Sequence, residues 1–295
     1  MEKRKRLIHL RHCRGIGWKG IAKLVARHND LSELYHVSLP QFIKDYGFNR
    51  KHAEVFYRDL HSIDIDKILR WYAREGITLI TIYDKVYPNR LKMIYDPPWV
   101  LYAKGQGEWL NNEKMLSVVG TRTPTKAGLR AMVKVIDPLI QNGWTIVSGM
   151  ALGVDGAAHH SALESSTIAV LGSGFLNPYP KQHLPLYNHI IHSHLAISEY
   201  PPNTPANRWQ FPERNRIISG LSLGILVVEA GEKSGSLITA DQALEQGREV
   251  FALPGNIWNE NTVGTHRLIQ QGAKLVTSAE DIRIELDVKT ADELC

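Results

Sequence analysis

Between Leu7 and about Arg74, apolar residues recur at three- and four-residue intervals, as at Ile21, Leu24 and Val25 and again at Leu31, Leu34 and Tyr35. That period lines one face of successive short helices divided by polar breaks. Gly15-Ile16-Gly17 falls between two such segments and residues 18–26 continue as a helix, the layout of a helix-hairpin-helix. Glycine amides at a helix start approach a phosphate readily. The same Gly-x-Gly is also simply how a tight helical turn is built.

Residues 76–113 read as a linker and lead-in, with Tyr87-Pro88 and then Asp96-Pro97-Pro98-Trp99, in which two adjacent prolines forbid a helix. After Lys114 the period changes. Short β-branched runs at 115–119, 144–147, 167–171, 195–198, 225–228 and 250–253 alternate with helix-length segments. Strand and helix in alternation build a mostly parallel sheet with helices on both faces, an α/β fold of the Rossmann type. The expected organisation is a small all-α domain over 1–75, the lead-in over 76–113, an extended Rossmann domain over 114–285 and a tail over 286–295.

In such a sheet, ligands bind beyond the carboxyl ends of the strands, so the loop after each strand matters most. The first reads Gly120-Thr121-Arg122-Thr123-Pro124-Thr125-Lys126-Ala127-Gly128, small residues and hydroxyls with two cations, leading into a helix. It lacks the Gly-Lys-Ser/Thr ending of a nucleotide P-loop. The second, Ser148-Gly149-Met150-Ala151-Leu152-Gly153-Val154-Asp155, allows close backbone approach at its glycines and places Asp155 to cap the next helix. The third holds Gly172-Ser173-Gly174 and Tyr179-Pro180-Lys181, and the loop after Val228 holds Lys233-Ser234-Gly235-Ser236. Together they predict an edge of backbone amides and positive helix ends suited to phosphates.

The segment from Asn207 to Arg216 interleaves Arg208, Arg214 and Arg216 with Trp209 and Phe211. That is the composition of a site that grips phosphates and stacks bases. The competing reading makes the aromatics core anchors and pairs the arginines with acids such as Glu213, and composition alone leans toward it. Catalytic constellations are thin. Asp155 and His159 lie four apart on a helix, but no third metal ligand has matching spacing, so a cap and a surface histidine are expected. His160, His189, His192 and His194 lack cysteine or carboxylate companions and read as surface or hydrogen-bonded histidines. There is no Gly-x-Ser-x-Gly elbow, and no metal or cofactor is expected.

Charge sharpens the picture. Residues 1–75 carry 16 Lys+Arg against 9 Asp+Glu, a balance of +7, leaving 19 against 21, or −2, for the remainder of a chain whose net charge is +5. The stretch 114–134 holds Lys114, Arg122, Lys126, Arg130 and Lys134 with no acid. Segregated positive charge fits a polyanionic partner. The charged start of the chain, free of a signal-length apolar segment, and the strand-sized apolar runs point to a cytoplasmic protein without a membrane span. Two cysteines, Cys13 and Cys295, offer no disulfide framework.

Five motifs then carry a resemblance: Gly120-Thr-Arg122; Ser148-Gly-Met-Ala-Leu-Gly-Val-Asp155; Thr167-Ile-Ala-Val-Leu-Gly-Ser-Gly174 with Tyr179-Pro180; Phe211-Pro-Glu-Arg-Asn-Arg-Ile-Ile-Ser-Gly-Leu-Ser222; and Ser234-Gly-Ser-Leu-Ile-Thr-Ala240 with Gly247-Arg-Glu-Val250. In order and spacing they resemble the DNA-processing protein A (DprA/Smf) family, over about residues 85–277. The helical amino terminus is similar to that family's small sterile-alpha-motif-like domain. The resemblance implies a single-stranded DNA-binding protein of natural transformation that dimerises, protects incoming single strands and loads the RecA recombinase onto them. It is a mediator rather than an enzyme. By the same resemblance Arg122 and Lys181 grip phosphates and Asn215, between Arg214 and Arg216, lines the same pocket. Ser148, Gly149, Gly174 and Ser234 to Ser236 border it with backbone donors, and Lys126 adds charge. Leu176 and His266 depart from the family's usual aspartate and asparagine, and the chain stops at Cys295 without the winged-helix extension of many members.

The alternative is a Rossmann-type nucleotide phosphoribohydrolase resembling the lysine-decarboxylase-like enzymes. Those rely on a Pro-Gly-Gly-x-Gly-Thr loop where this chain reads Gly231-Glu232-Lys233-Ser234-Gly235-Ser236. A pure protein-interaction scaffold is hard to square with the convergent cationic loops.

Overall fold

The structure, a computed structural model, describes residues 2–292, with side chains through Leu286; Cys295 of the expected tail lies outside the described residues. The chain divides into two units, Met1–Tyr87 with Asp96–Tyr102, and Pro88–Tyr95 with Ala103–Cys295.

In the first unit, the three- and four-residue period becomes α1 (Lys3–His12), α2 (Trp18–Arg27), α3 (Leu39–Lys44), α4 (Arg50–Ser62) and α5 (Ile65–Arg74). Leu7, Leu24, Leu34, Phe42 and Phe56 are fully buried among them. The Gly15-Ile16-Gly17 turn joins α1 to α2 as expected. Its first glycine answers a packing demand: φ is +84° and a Cβ there would stand 2.3 Å from the His52 carbonyl oxygen on α4. The segment read as a linker is ordered structure: β1 (Ile77–Thr81), the short α6 (Asn89–Lys92) and β2 (Val100–Gly105). The prolines that exclude a helix stand immediately ahead of β2, where extended backbone suits them.

The second unit continues with β3 (Met115–Val119), α7 (Lys126–Gln141), β4 (Thr145–Ser148), α8 (Val154–Ser161), β5 (Thr167–Leu171), α9 (Leu184–Ser193), β6 (Leu195–Ser198) and α10 (Gln210–Leu221). It closes with β7 (Gly224–Val227), α11 (Gly235–Glu245), β8 (Glu249–Ala252), α12 (Val263–Gln270), β9 (Lys274–Leu275) and α13 (Ala279–Asp292). Strands β3 to β6 are buried at every position, which is why they read as continuous apolar runs. The strand order is β6-β5-β4-β3-β7-β8-β9 and each pairing from β3 onward is parallel. The chain winds outward from β3 to β6, then returns to pair β7 against β3. That reversal makes the carboxyl ends of β3 and β7 the topological switch point. Leu116, Val118 and Ile146 of the sheet meet Met132, Val135, Ile136 and Leu139 of α7 in a core completed by Ile282 and Leu286 of α13.

Candidate functional site

A cleft of about 760 Å³ opens at that switch point. One wall is the loop after β3. Thr121 donates its backbone N–H to the Glu229 carbonyl at 2.7 Å and accepts from Val154 N at 3.2 Å, while a Cβ on Gly120 would stand 2.6 Å from the Val154 side chain. The loop is thereby fixed, and Arg122, exposed at its tip, lines the cleft. The opposite wall is the loop after β7: exposed Lys233, then Ser234, Gly235 and Ser236 at the start of α11. Ser234 caps that helix, its hydroxyl accepting from the Ser236 N–H, and no acid stands in the first turn. Arg208, Phe211 and Asn215, from the entry and first turns of α10, form the third side with Tyr179. The Tyr179 and Phe211 rings lie 5.5 Å apart at 51°. A smaller recess of about 30 Å³ runs between Gly149, Leu152, Tyr179, Pro180 and Phe211, sharing Arg122 and Arg214 with the main cleft.

Three exposed cations, Arg122, Arg208 and Lys233, thus face one space whose side also carries two aromatic rings. Asp155, buried at the cleft floor, is the countercharge. Burial pushes its carboxyl above the ordinary range, opposed by the charge of Arg214, by hydrogen bonds from the Ala151 and Gly149 N–H groups and by the charge of Arg122. Asp155 does not cap α8 as expected; it is the second residue of the helix, and its Oδ2 accepts from Ala151 N at 3.2 Å. His159 is not on the surface either. It is fully buried, Nδ1 2.6 Å from the Thr167 hydroxyl, with burial lowering its pKa to about 3. Among the described residues, no group of three His, Cys, Asp or Glu side chains is placed to hold a metal.

The helix starts are not equivalent. At α7 the ready anion site is already filled from within: the Glu229 carboxylate, 3% exposed, accepts from Thr125 N at 2.8 Å, the Thr125 hydroxyl at 2.7 Å and Asn259 Nδ2 at 3.2 Å. The first turn of α8 holds Asp155. Of these, α11 is the helix whose first residues line the cleft without an acid in the turn.

Of the residues singled out from sequence, Arg122, Arg214, Asn215, Ser234, Gly235 and Ser236 line the cleft, and Gly149 lines the recess. Arg214 does so as part of the floor. It is 4% exposed, Nη1 donates to the carbonyls of Gly149 and Val170, and Nε donates to Asn215 Oδ1. Burial lowers its pKa to about 10, still charged at neutrality beside Asp155. Arg216 turns away into a buried ion pair with Glu199 at 2.6 Å. Ser148 is buried with its hydroxyl donating to the Val118 carbonyl at 2.6 Å. Gly174 meets the chain instead, since a Cβ would stand 2.2 Å from the Pro201 carbonyl oxygen. Lys126 and Lys181 are exposed outside both cavities, on α7 and in the helical turn Lys181–His183. Trp209, expected in the core, is 59% exposed, and its ring stands edge-on to Tyr200.

Glu229, a brace, and Asn261, a lining residue whose Nδ2 donates to the Thr123 carbonyl at 3.0 Å, are not among the residues predicted for the site. An acid directly after an apolar strand at the reversal point was the available signal for Glu229. Asn261 had none.

The family model for DNA recombination-mediator protein A matches residues 78–287. The DNA processing protein DprA of Bacillus subtilis is 47% identical over 239 residues, covering 80% of this chain and 79% of that protein. Protein Smf of Escherichia coli is 44% identical over 221 residues, covering 74% of this chain and 59% of that protein. Among solved structures, DNA processing protein A from Streptococcus pneumoniae superposes with a TM-score of 0.84 at 38% identity, covering 95% of this chain and 97% of that one. DNA processing protein A from Helicobacter pylori, studied for its single-stranded DNA binding mode, gives a TM-score of 0.64 at 28% identity over 73% of this chain and 96% of that one. The matched segment contains both strands of the switch point and every residue of the cleft, and on these matches the chain belongs to the DNA recombination-mediator protein A family.

Proposed function

We propose that the chain binds single-stranded DNA in the switch-point cleft and serves as a mediator that protects incoming strands and delivers them to the RecA recombinase during natural transformation. The observation that carries this reading is the convergence of Arg122, Arg208 and Lys233 with the start of α11 and the Tyr179–Phe211 pair in one open cleft. Cations follow a phosphate backbone and aromatic faces receive bases without sequence preference, which is how single strands are held. Arg122, Asn215 and Ser234 to Ser236 are the contacts on this reading, with Gly149 behind the recess. Arg214, Arg216, Ser148 and Gly174 hold the walls in place, and Lys126 and Lys181 extend the positive field beyond the cleft.

The proposed mediator role calls for no chemical step, and Asp155, the acid lining the cleft, accepts a hydrogen bond from Ala151 N at its floor. The relative from Helicobacter pylori, described by its single-stranded DNA binding, supports the choice of strand. A homodimer, action on RecA and a cytoplasmic location complete the proposal, in keeping with a chain in which no described helix is long and apolar enough to cross a membrane. The expected domain limits of 1–75 and 114–285 place the whole site on the larger domain.

Titration with single- and double-stranded oligonucleotides at two salt concentrations tests the reading. Tight single-strand binding that weakens steeply with salt is expected; equal affinity for duplex, or none for either, rejects it. RecA loading is read separately, as stimulation of strand exchange by the purified protein.

A further inference from the structure

The loop between β8 and α12 combines two properties that rarely coincide. Its backbone is firmly braced: Asn256 Oδ1 accepts from Trp258 N at 3.0 Å, the Thr262 hydroxyl donates to the carbonyls of Asn256 and Asn259, and Asn259 Nδ2 reaches the buried Glu229 carboxylate. Yet its two largest apolar side chains face solvent, Ile257 at 75% and Trp258 at 87% exposure. A braced backbone that presents two neighbouring large apolar side chains to water leaves their faces available to a ligand. Three residues on, Asn261 both lines the cleft and donates to the Thr123 carbonyl beside Arg122.

We propose that Trp258 is a stacking platform for a nucleobase of single-stranded DNA, carried on the loop whose Asn261 lines the cleft. The proposal rests on the single-strand reading of the cleft and extends its footprint. Size favours a base over a protein partner. One indole buries roughly 200 Å², a fair match to a base face, whereas a stable protein interface needs about 800 Å² from each side. Stacking also asks for an aromatic ring held still rather than for charge, which is what the bracing supplies. Tyr179 and Phe211 line the cleft and Trp258 does not, so Trp258 serves a different nucleotide.

The test compares wild type, Trp258→Ala, Trp258→Phe and Arg122→Ala on oligothymidylates of about 4 to about 16 nucleotides. Trp258→Ala is expected to weaken the long oligonucleotides about tenfold with an unchanged salt dependence, to leave the shortest unaffected, and to be largely rescued by Trp258→Phe. Arg122→Ala weakens every length and lowers the salt slope. Wild-type affinity in Trp258→Ala at all lengths, with binding by the unaltered chain intact, overturns the platform and leaves the cleft reading standing. No binding by the unaltered chain removes both. Loss of long-strand binding that accompanies conversion to a smaller oligomer in light scattering also overturns it, since the indole then contacts a second copy. An unchanged melting temperature shows that each variant is folded.

Discussion

The Glu229 carboxylate holds Thr125 by both its backbone N–H, at 2.8 Å, and its hydroxyl, at 2.7 Å, so the end of β7 is stitched to the start of α7 from inside the protein. The same carboxylate explains Gly128, one turn into α7, where a Cβ would stand 2.5 Å from Glu229 Cδ. Alanine is otherwise the better helix former by about 1 kcal/mol. Gly128→Ala is therefore expected to destabilise the wild-type chain by about 1 to 2 kcal/mol by displacing a carboxylate that three donors hold. In a Glu229→Ala background, itself costing about 3 kcal/mol through its unpaired donors, the same substitution becomes stabilising. Chemical denaturation of the four species reads this reversal of sign directly; additive effects reject the stitch.

Arg122 and Arg214 line one cleft but answer to different forces. Arg122 is exposed, so Arg122→Ala leaves the melting temperature unchanged while costing single-strand affinity roughly 1 to 3 kcal/mol and lowering the salt slope by about 0.7 for one lost phosphate contact. Arg214→Ala strips two buried carbonyls of their donor and leaves Asp155 without its counterion, a loss of about 3 to 5 kcal/mol of stability. Melting curves beside binding titrations separate the two, and a stable Arg214→Ala protein contradicts its place in the floor.

The aromatics of the Asn207 to Arg216 segment divide in the same way. Phe211 is half-buried against Tyr179, and an added Cβ on Gly172 would stand 2.8 Å from its ring, so Phe211→Ala is expected to cost both stability and affinity. Trp209 is mostly exposed, and Trp209→Ala is expected to melt within about 0.5 kcal/mol of wild type. A marked folding defect in Trp209→Ala would return that ring to the core.

What the sequence displayed was periodicity, and where periodicity reported burial it reported the fold. Runs at 115–119, 167–171 and 195–198 coincide with β3, β5 and β6 because all their positions are buried. Strands β7 and β8 begin one residue earlier than read, at Gly224 and Glu249, which carry no strand signal yet face each other in register. Strand β9 has two residues, too few for any pattern. In the site, residue type located the loops but not the direction of each side chain. Residues 214 and 216 lie about 200° apart around α10, and because the helix is covered by both the sheet and α11, both arginines go inward while Asn215 between them meets the cleft. Glu229 was legible as an acid in a loop, but its partners, Thr125 and Asn259, are distant in sequence and only the fold brings them to it.

Acid acts on the fold through His159. His159 donates from Nδ1 to the Thr167 hydroxyl, which itself donates to the Ile146 carbonyl at 2.8 Å, while Nε2 is buried with no hydrogen-bond partner among the described residues. A second proton would therefore sit on an unpaired buried nitrogen, and burial lowers the pKa from 6.5 to about 3. The unfolded chain binds that proton below pH 6.5 and the folded chain does not, so this histidine favours unfolding progressively as pH falls from 6.5 toward about 3. Between pH 6.5 and 5 its share amounts to about 2 kcal/mol. Replacing it by asparagine, whose amide N–H can still donate to Thr167, is expected to cost stability at neutral pH but to flatten the acid limb of the curve by that amount. Denaturation midpoints at three pH values for His159→Asn and wild type measure the difference, and parallel curves would mean that His159 is protonated in the folded protein.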